Sequence, residues 1–452
     1  MLRLILILIS FGLFFCKSDP VPKVPLEAKK GILDLKNWDF QKDGNVYLDG
    51  EWTFSFEKNS KGFTTVPSQW QDHGFPLYGT AEYGLKILLP EKDGNEELAI
   101  LLPDISMSYD LYADGIHILS TGKTGNSKED SSPFLRHRFS ALKKKSAEME
   151  LRIRVSNFHS TKSGILGKIK LGSLNTLRGQ TERSRSLDYI VFGCLLIMAV
   201  HNISIYLFRK KDKVPLFFGM FCILIALRTV SVNECCILDY FPDLPFLLIY
   251  KLEYAPFYMG VPLFAMFLYS LFPREFTSRA LRIFKYSGIP LTAAAASSPI
   301  EIYIRLLPVF ELTAFLFAVY SSVTVFLAMI RRRPGAKLFC AGGFPFFWTI
   351  INDLLLNMQI IYTFYMGSYG FLIFIYFHSV ALSKRFSRNI TFAEMQSEEL
   401  QGKTAALEES NSELFELKEN LEKKVQERTL ELEKARQITE EANQELQDLS
   451  RE

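Results

Sequence analysis

The sequence predicts a multidomain membrane protein with an N-terminal β-sandwich, a bundle of seven transmembrane helices and a C-terminal coiled coil. Three observations predict it: short alternating strands in residues 25–180, seven long apolar stretches within residues 186–384, and a seven-residue repeat in residues 385–452. Hydrophobic residues make up 48% of the 452 residues and charged residues only 22%, crowded between and after the apolar stretches. The net charge of +3 is too small to indicate a nucleic acid partner.

The first fifteen residues form a predicted signal peptide of the lipoprotein type, cleaved before Cys16. Arg3 supplies a positive start, and the apolar run at 4–15 is too short to cross a membrane comfortably. Leu13 stands three positions before Cys16, as in a lipoprotein processing site, so Cys16 is the predicted lipidation site. Phe15 departs from the small residues usual there, which leaves an ordinary signal peptide or an uncleaved anchor as the alternative.

Residues 25–180 show the period-two alternation and the turn residues of antiparallel strands. The predicted strands lie at 46–48, 52–56, 85–89, 98–102, 109–113, 116–119 and 151–155. Asp114-Gly115 and Gly122 mark turns, and no long amphipathic helix fits between the strands. A β-sandwich or jelly roll of about eight strands is the expected packing.

Several short motifs in this region occur in the order seen in galactose-binding-like sandwiches. They are Leu48-Asp49-Gly50-Glu51-Trp52, Val66-Pro67-Ser68-Gln69-Trp70, Tyr83, Tyr112-Ala113-Asp114-Gly115 and Val155-Ser156-Asn157-Phe158. The region therefore resembles modules that occur in glycoside hydrolases and as outer domains of the bacterial seven-transmembrane receptors with diverse intracellular signalling modules. The resemblance implies an extracellular ligand, with a carbohydrate as one candidate.

Aromatic and polar side chains near these motifs are the candidate ligand contacts, because a sugar stacks on a ring while its hydroxyls need directed polar partners. The candidates are Trp70, Tyr78, Tyr83, Asn157 and His159. The alternative is that Trp70 and Tyr83 are core residues of the sandwich. No motif singles out catalytic residues, no Cys or His spacing resembles a metal site, and no cofactor is expected.

Seven apolar stretches follow, each near the ~20 residues needed to cross a ~30 Å hydrocarbon layer. They lie at 187–208, 214–233, 246–271, 284–300, 306–330, 338–358 and 366–384. Lys and Arg residues are concentrated in alternate loops between the apolar stretches. In the loops on the opposite side, Arg305 is the only basic residue. Since loops rich in Lys and Arg stay cytoplasmic, we expect a multi-pass protein of the bacterial inner membrane, with the sandwich periplasmic or extracellular and the C-terminus cytoplasmic.

Five ionisable residues interrupt the apolar stretches, where charge is expensive and therefore indicates function. They are Arg228, Lys251, Glu253, Glu311 and Asp353, and the predicted orientation puts all five in the outer half of the membrane. One interpretation is a polar network that couples the sandwich to the bundle. The alternative is that Lys251 and Glu253 reach the interface and the others form structural pairs.

Further motifs extend the resemblance to the same receptor family. They are Lys251-Leu252-Glu253-Tyr254, Leu271-Phe272-Pro273-Arg274-Glu275 and Asn352-Asp353, together with the opening stretch 196–209. With the outer sandwich and the C-terminal coil, the likeness covers most of the chain. It implies a sensory receptor that signals across the membrane.

The C-terminal region carries one seven-residue register from Leu400 to Leu449 without a break. Leu and Val predominate at its core positions, which predicts a parallel coiled coil and a homodimer, while polar Asn411 weakens the core. A solitary charged helix is the alternative. The stretch 421–432 resembles linkers that precede histidine kinase, cyclase or phosphatase domains, but the tail contains no His. An output domain is therefore expected outside these residues or on a partner protein.

The predicted function is that of a transmembrane signal receptor, which binds a ligand outside and changes the coil inside, and is not itself an enzyme. The first alternative is the sensor half of a membrane histidine kinase or nucleotide cyclase. The second is a transporter, which would more often show internal repeats and a charged site at the membrane midplane.

Overall fold

The structure is a computed structural model that describes residues 26–449 except 58, 91–96, 103–104, 106–107, 135–137, 144–145, 161, 233, 300–301, 303–304, 358–359, 362 and 364. The predicted signal peptide and the lipidation site at Cys16 lie outside the described residues. The chain divides into two compact units at His378 and Ser379. The first unit contains the sandwich and the helical bundle.

Eleven strands in the described part of the chain form two sheets. They are β1 Ile32–Asp34, β2 Val46–Tyr47, β3 Gly50–Phe56, β4 Asn59–Val66, β5 Gly79–Leu88, β6 Leu98–Leu102, β7 Ser108–Ala113, β8 Ile116–Thr121, β9 Arg138–Leu142, β10 Glu148–Asn157 and β11 Lys170–Ser173. The larger sheet has the order β4-β3-β5-β10-β7-β8, with β1 parallel to β5. The smaller sheet has the order β2-β11-β6-β9.

Alternation along the strands builds one core between the two sheets. Tyr83, Leu85 and Ile87 of β5 are buried in the same apolar cluster as Ile100 of β6 and Leu171 of β11. This confirms the predicted β-sandwich. The expected number of about eight strands was too low, because β1, β9 and β11 are short and β4 begins with polar residues, so their periodicity is weak in the sequence.

Seven long helices follow in the described residues, each at or near a predicted apolar stretch. They are α1 Leu174–Phe208, α2 Val214–Ser231, α3 Phe246–Leu271, α4 Ser278–Ser297, α5 Leu307–Ile330, α6 Ala336–Asn357 and α7 Gly367–Leu449. A single helical turn at Ile237–Tyr240 precedes α3. The helix α1 begins well before the predicted span at 187, because its polar first turns extend the helix toward the sandwich rather than into lipid.

Five of these helices, among the residues the structure describes, are long and apolar enough to cross a membrane. They are Leu174–Phe208, Val214–Ser231, Phe246–Leu271, Leu307–Ile330 and Ala336–Leu356. The helix α4 is outside this set, and its hydropathy is lowered by Arg282, Lys285 and a run of small residues. The protein is therefore a multi-pass membrane protein whose bundle core is dense in phenylalanine.

The second unit, Ser379–Glu452, continues the helix α7 as far as Leu449. Leu407, Leu414 and Leu421 lie on its surface, each at least 59% exposed in the single chain. From Ser383 onward the described side chains of this segment are exposed. The predicted helix is present, while its pairing into a coiled coil stays a prediction.

Candidate functional site

The sandwich is joined to the first membrane helix without a linker. Strand β11 ends at Ser173 and α1 begins at Leu174, whose amide donates to the Glu97 carbonyl at 2.8 Å. One turn further, the Asn45 amide donates to Gln180 Oε1 at 3.2 Å. Because a strand of the sandwich leads directly into a helix held by further bonds, a movement of the sandwich must be transmitted to α1.

A second contact joins the sandwich to the segment between α2 and α3. Phe134, from a sandwich loop, packs against a small apolar cluster of Cys235, Leu238 and Ile249. The adjacent Cys235 and Cys236 are both buried. The same segment is tied to α1, because the Tyr189 hydroxyl donates to Asp239 Oδ2 at 2.9 Å. One end of the bundle thus contacts the sandwich at two places.

Asp353, near the end of α6, holds the first turn of α7. Its Oδ1 accepts from the Met366 amide at 2.7 Å, and its Oδ2 accepts from the Gly367 amide at 2.9 Å. The Asn352 side chain donates to the same carboxylate at 3.1 Å. A carboxylate at a helix N-terminus satisfies amides that have no partner within the helix and interacts favourably with the helix dipole. We call this arrangement the α7 clasp.

Glycines allow the clasp to close. A Cβ on Gly367 would lie 2.6 Å from Asp353 Oδ2, and one on Gly370 would lie 2.0 Å from Thr349 Oγ1, so neither position accommodates a side chain without a shift. The sequence singled out Asp353 but not these glycines. Their only signal is their position at the start of the last apolar stretch, which is too common a placement to identify a contact.

Arg228 on α2 lies beside the clasp. Its Nη1 donates to the Glu253 carbonyl on α3 at 2.8 Å, and its guanidinium lies 5.0 Å from the centroid of the Phe257 ring. Arg228 also interacts electrostatically with Asp353. The neighbouring Thr229 hydroxyl lies 3.0 Å from that of Ser368, in the first turn of α7. The structure thus brings Arg228, the Glu253 backbone and Asp353 to one place.

Arg228 and Asp353 line a cavity of about 130 Å³ between α2, α3, α5, α6 and the start of α7. Its polar wall also includes Thr229 and Ser368. Its remaining wall is largely aromatic, and contains Phe221, Phe257, Phe264, Phe346, Phe347 and Tyr365. A mostly apolar cavity with a few convergent polar groups has the composition of a small-molecule site.

Lys251 and Glu311 lie elsewhere. The Lys251 ammonium donates to the Ala296 carbonyl at 2.7 Å, where a cation offsets the unsatisfied carbonyls at the end of α4. Glu311 on α5 is buried and interacts electrostatically with Lys162 of the sandwich. Lys251 therefore serves a helix end and Glu311 is buried in α5, while Arg228 and Asp353 lie at the clasp, where Glu253 contributes its backbone carbonyl.

The predicted ligand residues of the sandwich differ in their exposure. Trp70 and Tyr83 are each 1% exposed, with Trp70 Nε1 donating to the Pro76 carbonyl at 2.7 Å. Asn157 is fully buried, and its amide donates to the Leu77 carbonyl at 3.0 Å. Tyr78 is exposed, and half-buried His159 lies 3.2 Å from the Ser131 hydroxyl. Three of the five are thus interior residues, and the ligand role of the set stays a prediction.

A second charged centre lies between the loop after α3 and the loop after α5. The Glu275 side chain is 1% exposed, and its Oε1 accepts from Arg333 Nε at 2.8 Å and from Arg331 Nη1 at 3.4 Å. Burial raises the pKa of Glu275, but the hydrogen bonds and charges of Arg333 and Arg331 outweigh burial and hold this pKa below its ordinary value. These ion pairs of Glu275 with Arg331 and Arg333 hold the two loops together.

We expect Glu275→Gln to lower the free energy of unfolding at pH 7 by roughly 2 kcal/mol, because a charged acceptor of two hydrogen bonds is lost. A carboxylate whose pKa is depressed by folding stabilises the protein above its ordinary pKa, and that contribution disappears as the pH falls through the folded-state value. The stability difference between wild type and variant should therefore shrink in the acid range.

Thermal unfolding of the purified protein in detergent, followed by tryptophan fluorescence at pH 7 and below pH 4, measures this difference. Arg274→Gln changes an exposed charge in the same loop and serves as the control, with little effect expected. A Glu275→Gln difference that is absent at pH 7, or equal at both pH values, would contradict the ion pair.

The helical region of the first unit matches a known family, whereas solved structures match the chain only weakly. Residues 184–385 match the family model described as 7TM diverse intracellular signalling. No curated protein sequence matches the chain. Similar solved structures include the β-glucuronidase of Ruminococcus gnavus with uronic isofagomine, at 15% identity and a TM-score of 0.24, covering 29% of this chain and 28% of the enzyme. The same enzyme with D-glucuronic acid matches at 16% identity and a TM-score of 0.24, covering 29% of each chain.

The chain thus spans less than a third of the length of these enzymes, and a likeness at this level assigns no activity. The family match begins within α1, includes α2 to α6 and ends in α7 after the last apolar stretch. It includes the motifs at Lys251, Glu275 and Asp353, which lie at the end of α4, in the loop ion pair and at the clasp. Through residues 184–385, the helical region of this chain is similar to the 7TM diverse intracellular signalling family, which indicates a transmembrane sensory receptor.

Proposed function

We propose that this protein is a receptor of the bacterial inner membrane that senses a ligand through its outer sandwich and alters a dimeric coil in the cytoplasm. The observation that carries the proposal is the α7 clasp, since Asp353 holds the first turn of one helix, α7, which continues from Gly367 to Leu449. A change in the bundle that moves Asp353 changes the first turn of the helix that forms the tail. In this proposal Cys16 carries a lipid that anchors the N-terminus.

The proposed route begins at the sandwich. Ligand binding shifts the sandwich. The direct β11–α1 connection, the Phe134 contact and the electrostatic interaction of Lys162 with Glu311 pass this shift to the outer end of the bundle. Arg228 and Thr229 then link α2 to α3 and to the first turn of α7. Such a receptor needs two global states with different ligand affinities, which a clasp that opens and closes provides.

The proposed ligand is a small molecule, with a carbohydrate as the class that the sandwich motifs imply. Tyr78, 44% exposed, offers a ring on which the apolar face of a sugar can stack, and His159 offers a polar partner. In this proposal, Trp70, Tyr83 and Asn157 support that surface from the interior. Asn157 does so by binding the backbone of the segments at Leu77 and Ser160.

A second candidate is favoured by the likeness of residues 421–432 to the linkers that precede histidine kinase, cyclase and phosphatase domains. In that case the chain is the sensor half of a longer signalling enzyme, rather than a receptor with a separate output partner. The route through the clasp is the same in both cases. The nucleotide sequence that follows the codon for Glu452 distinguishes them.

The first prediction concerns orientation. Fusing alkaline phosphatase after Asn175 should give high enzyme activity, because the enzyme folds only outside the cytoplasm, and fusion after Ser387 should give low activity. A green fluorescent protein fused at the same two sites should give the reverse result. Matching signals at both sites would contradict the proposed topology.

The second prediction concerns the clasp. In Asp353→Asn the side-chain amide group faces a backbone amide, so one acceptor becomes a donor and the first turn of α7 loosens. We expect normal expression, with a change of at least twofold in the rate at which cysteines introduced at Leu414 cross-link between chains. Asp243→Asn, in an exposed loop, is the control. An unchanged rate in Asp353→Asn would exclude the clasp from transmission.

The third prediction concerns the dimer. Burying one leucine is worth roughly 1.5–3 kcal/mol, so pairing the stripe of Leu407, Leu414 and Leu421 offsets the ordering of two helices. The membrane raises the local concentration of the two tails, and polar Asn411 specifies their register. Leu414→Cys should cross-link under mild oxidation, and the outward-facing Glu416→Cys much less. Equal yields, or none at position 414, would indicate a solitary helix.

A further inference from the structure

We propose that the cavity beside the α7 clasp binds a second ligand, a small monocyclic aromatic acid. This ligand is distinct from the one assigned to the sandwich. Its effect on signalling rests on the proposed function, while its binding does not.

The volume of the cavity sets the size of the ligand. The cavity measures about 130 Å³. Apolar protein cavities of about 150 Å³ bind benzene, so this cavity accommodates one six-membered ring with a small substituent. Fatty acids, steroids and nucleotides are too large for this volume.

The wall favours an aromatic ring. Phe264 lies at the centre of the lining, with ring centroids 4.9 Å from Phe221, 5.7 Å from Phe346 and 6.0 Å from Phe347. Aromatic rings prefer edge-to-face and offset contacts at centroid distances of about 4.5–7 Å. A ligand ring inserted among these side chains would continue a packing pattern that the lining already shows.

The charged groups favour an acid over a base. A guanidinium has five N–H donors, and the Glu253 carbonyl accepts from Arg228 Nη1, which leaves donor capacity for a carboxylate. The Asp353 carboxylate instead accepts from the Met366 and Gly367 amides and from Asn352. The cation is therefore better placed than the anion to bind an oppositely charged ligand.

Because the cavity lies beside the first turn of α7, a ligand bound in it can affect the tail helix. Gly367 and Ser368, the first residues of α7, are part of the lining, and so is Asp353. A carboxylate bound to Arg228 competes with Asp353 for the same positive charge. Occupancy should therefore change the strength of the clasp, and the site would set the sensitivity of the receptor.

The test uses the full chain in lipid nanodiscs and 4-fluorobenzoate as the probe, observed by ¹⁹F NMR. Saturable line broadening, displaced by benzoate, is expected with the protein and not with protein-free nanodiscs. 4-Fluorobenzylamine and 4-fluorobenzyl alcohol are the cationic and neutral counterparts, and both should bind at least tenfold more weakly than the acid. The absence of saturable binding, or equal binding of the amine, would overturn the proposal.

Gly260→Leu is the blocking variant. Gly260 lines the cavity, and a Cβ there would meet only Phe221, at 3.6 Å, so a larger side chain extends into the cavity. We expect at least a tenfold loss of 4-fluorobenzoate affinity. Gly193→Leu on α1, where a Cβ meets nothing within 4 Å, is the matched control and should bind as wild type. Unchanged affinity in Gly260→Leu would overturn the assignment of the site.

Ala318→Leu, at another buried lining position, replaces Gly260→Leu if that variant does not fold. The regulatory part has its own measurement, the cross-linking of Leu414→Cys with and without saturating 4-fluorobenzoate. A changed rate supports the effect on the tail. An unchanged rate with intact binding overturns that effect and leaves the ligand site in place, whereas a failure of the topology prediction would affect the receptor function alone.

Discussion

Two backbone amides and one carboxylate determine where the last helix begins. A helix that starts within a membrane bundle has amides that neither its own carbonyls nor bulk water can satisfy, and each unsatisfied group is costly in that environment. Asp353 satisfies the amides of Met366 and Gly367, and the small volume of Gly367 lets the carboxylate approach. The wall of the cavity and the start of the tail helix both follow from this arrangement.

The clasp also explains why the Asp353 carboxylate is tolerated within the helical bundle. Asp353 interacts with a helix terminus, with the amide of Asn352 and with the field of Arg228, so its charge is spread over several partners. Arg228 is in turn covered on one side by the Phe257 ring and bonded to a carbonyl. Arg228 therefore joins α2 to α3, and Asp353 joins α6 to α7. A change in either charge alters the contacts between these helices.

Much of the fold was predictable because the physics that shapes it acts on residue type alone. Apolar length predicted the helices to within a few residues for α2, α3 and α5, and alternation predicted the strands at 98–102 and 109–113. The cost of charge in lipid singled out Asp353 and Arg228. Their partners were not predictable, because the partners are backbone amides and carbonyls, which almost every residue has, and a glycine, which has many other roles.

The same limit applies to the sandwich. Aromatic residues suit both a sugar site and a core, so composition alone could not place Trp70 and Tyr83. The burial of Tyr83 follows from the register of β5 with β3 and β10, and Trp70 packs against Phe56 from a short 3-10 helix that follows β4. The start of α1 was missed for a related reason. Residues 174–186 are polar, and only their contact with Glu97 and Asn45 shows that the helix already begins there.

Because no linker separates β11 from α1, the direction in which the helix begins fixes the rotation of the sandwich about the axis of α1. In an α-helix each added residue turns whatever precedes it by about 100° around the axis. One residue inserted after Ser173 would therefore swing Phe134 and Lys162 of the sandwich away from Cys235 and Glu311 of the helical bundle, while leaving both domains folded. Exchange of such sandwiches between helical bundles is accordingly constrained to insertions and deletions that nearly restore the angle, of about seven, eleven or eighteen residues.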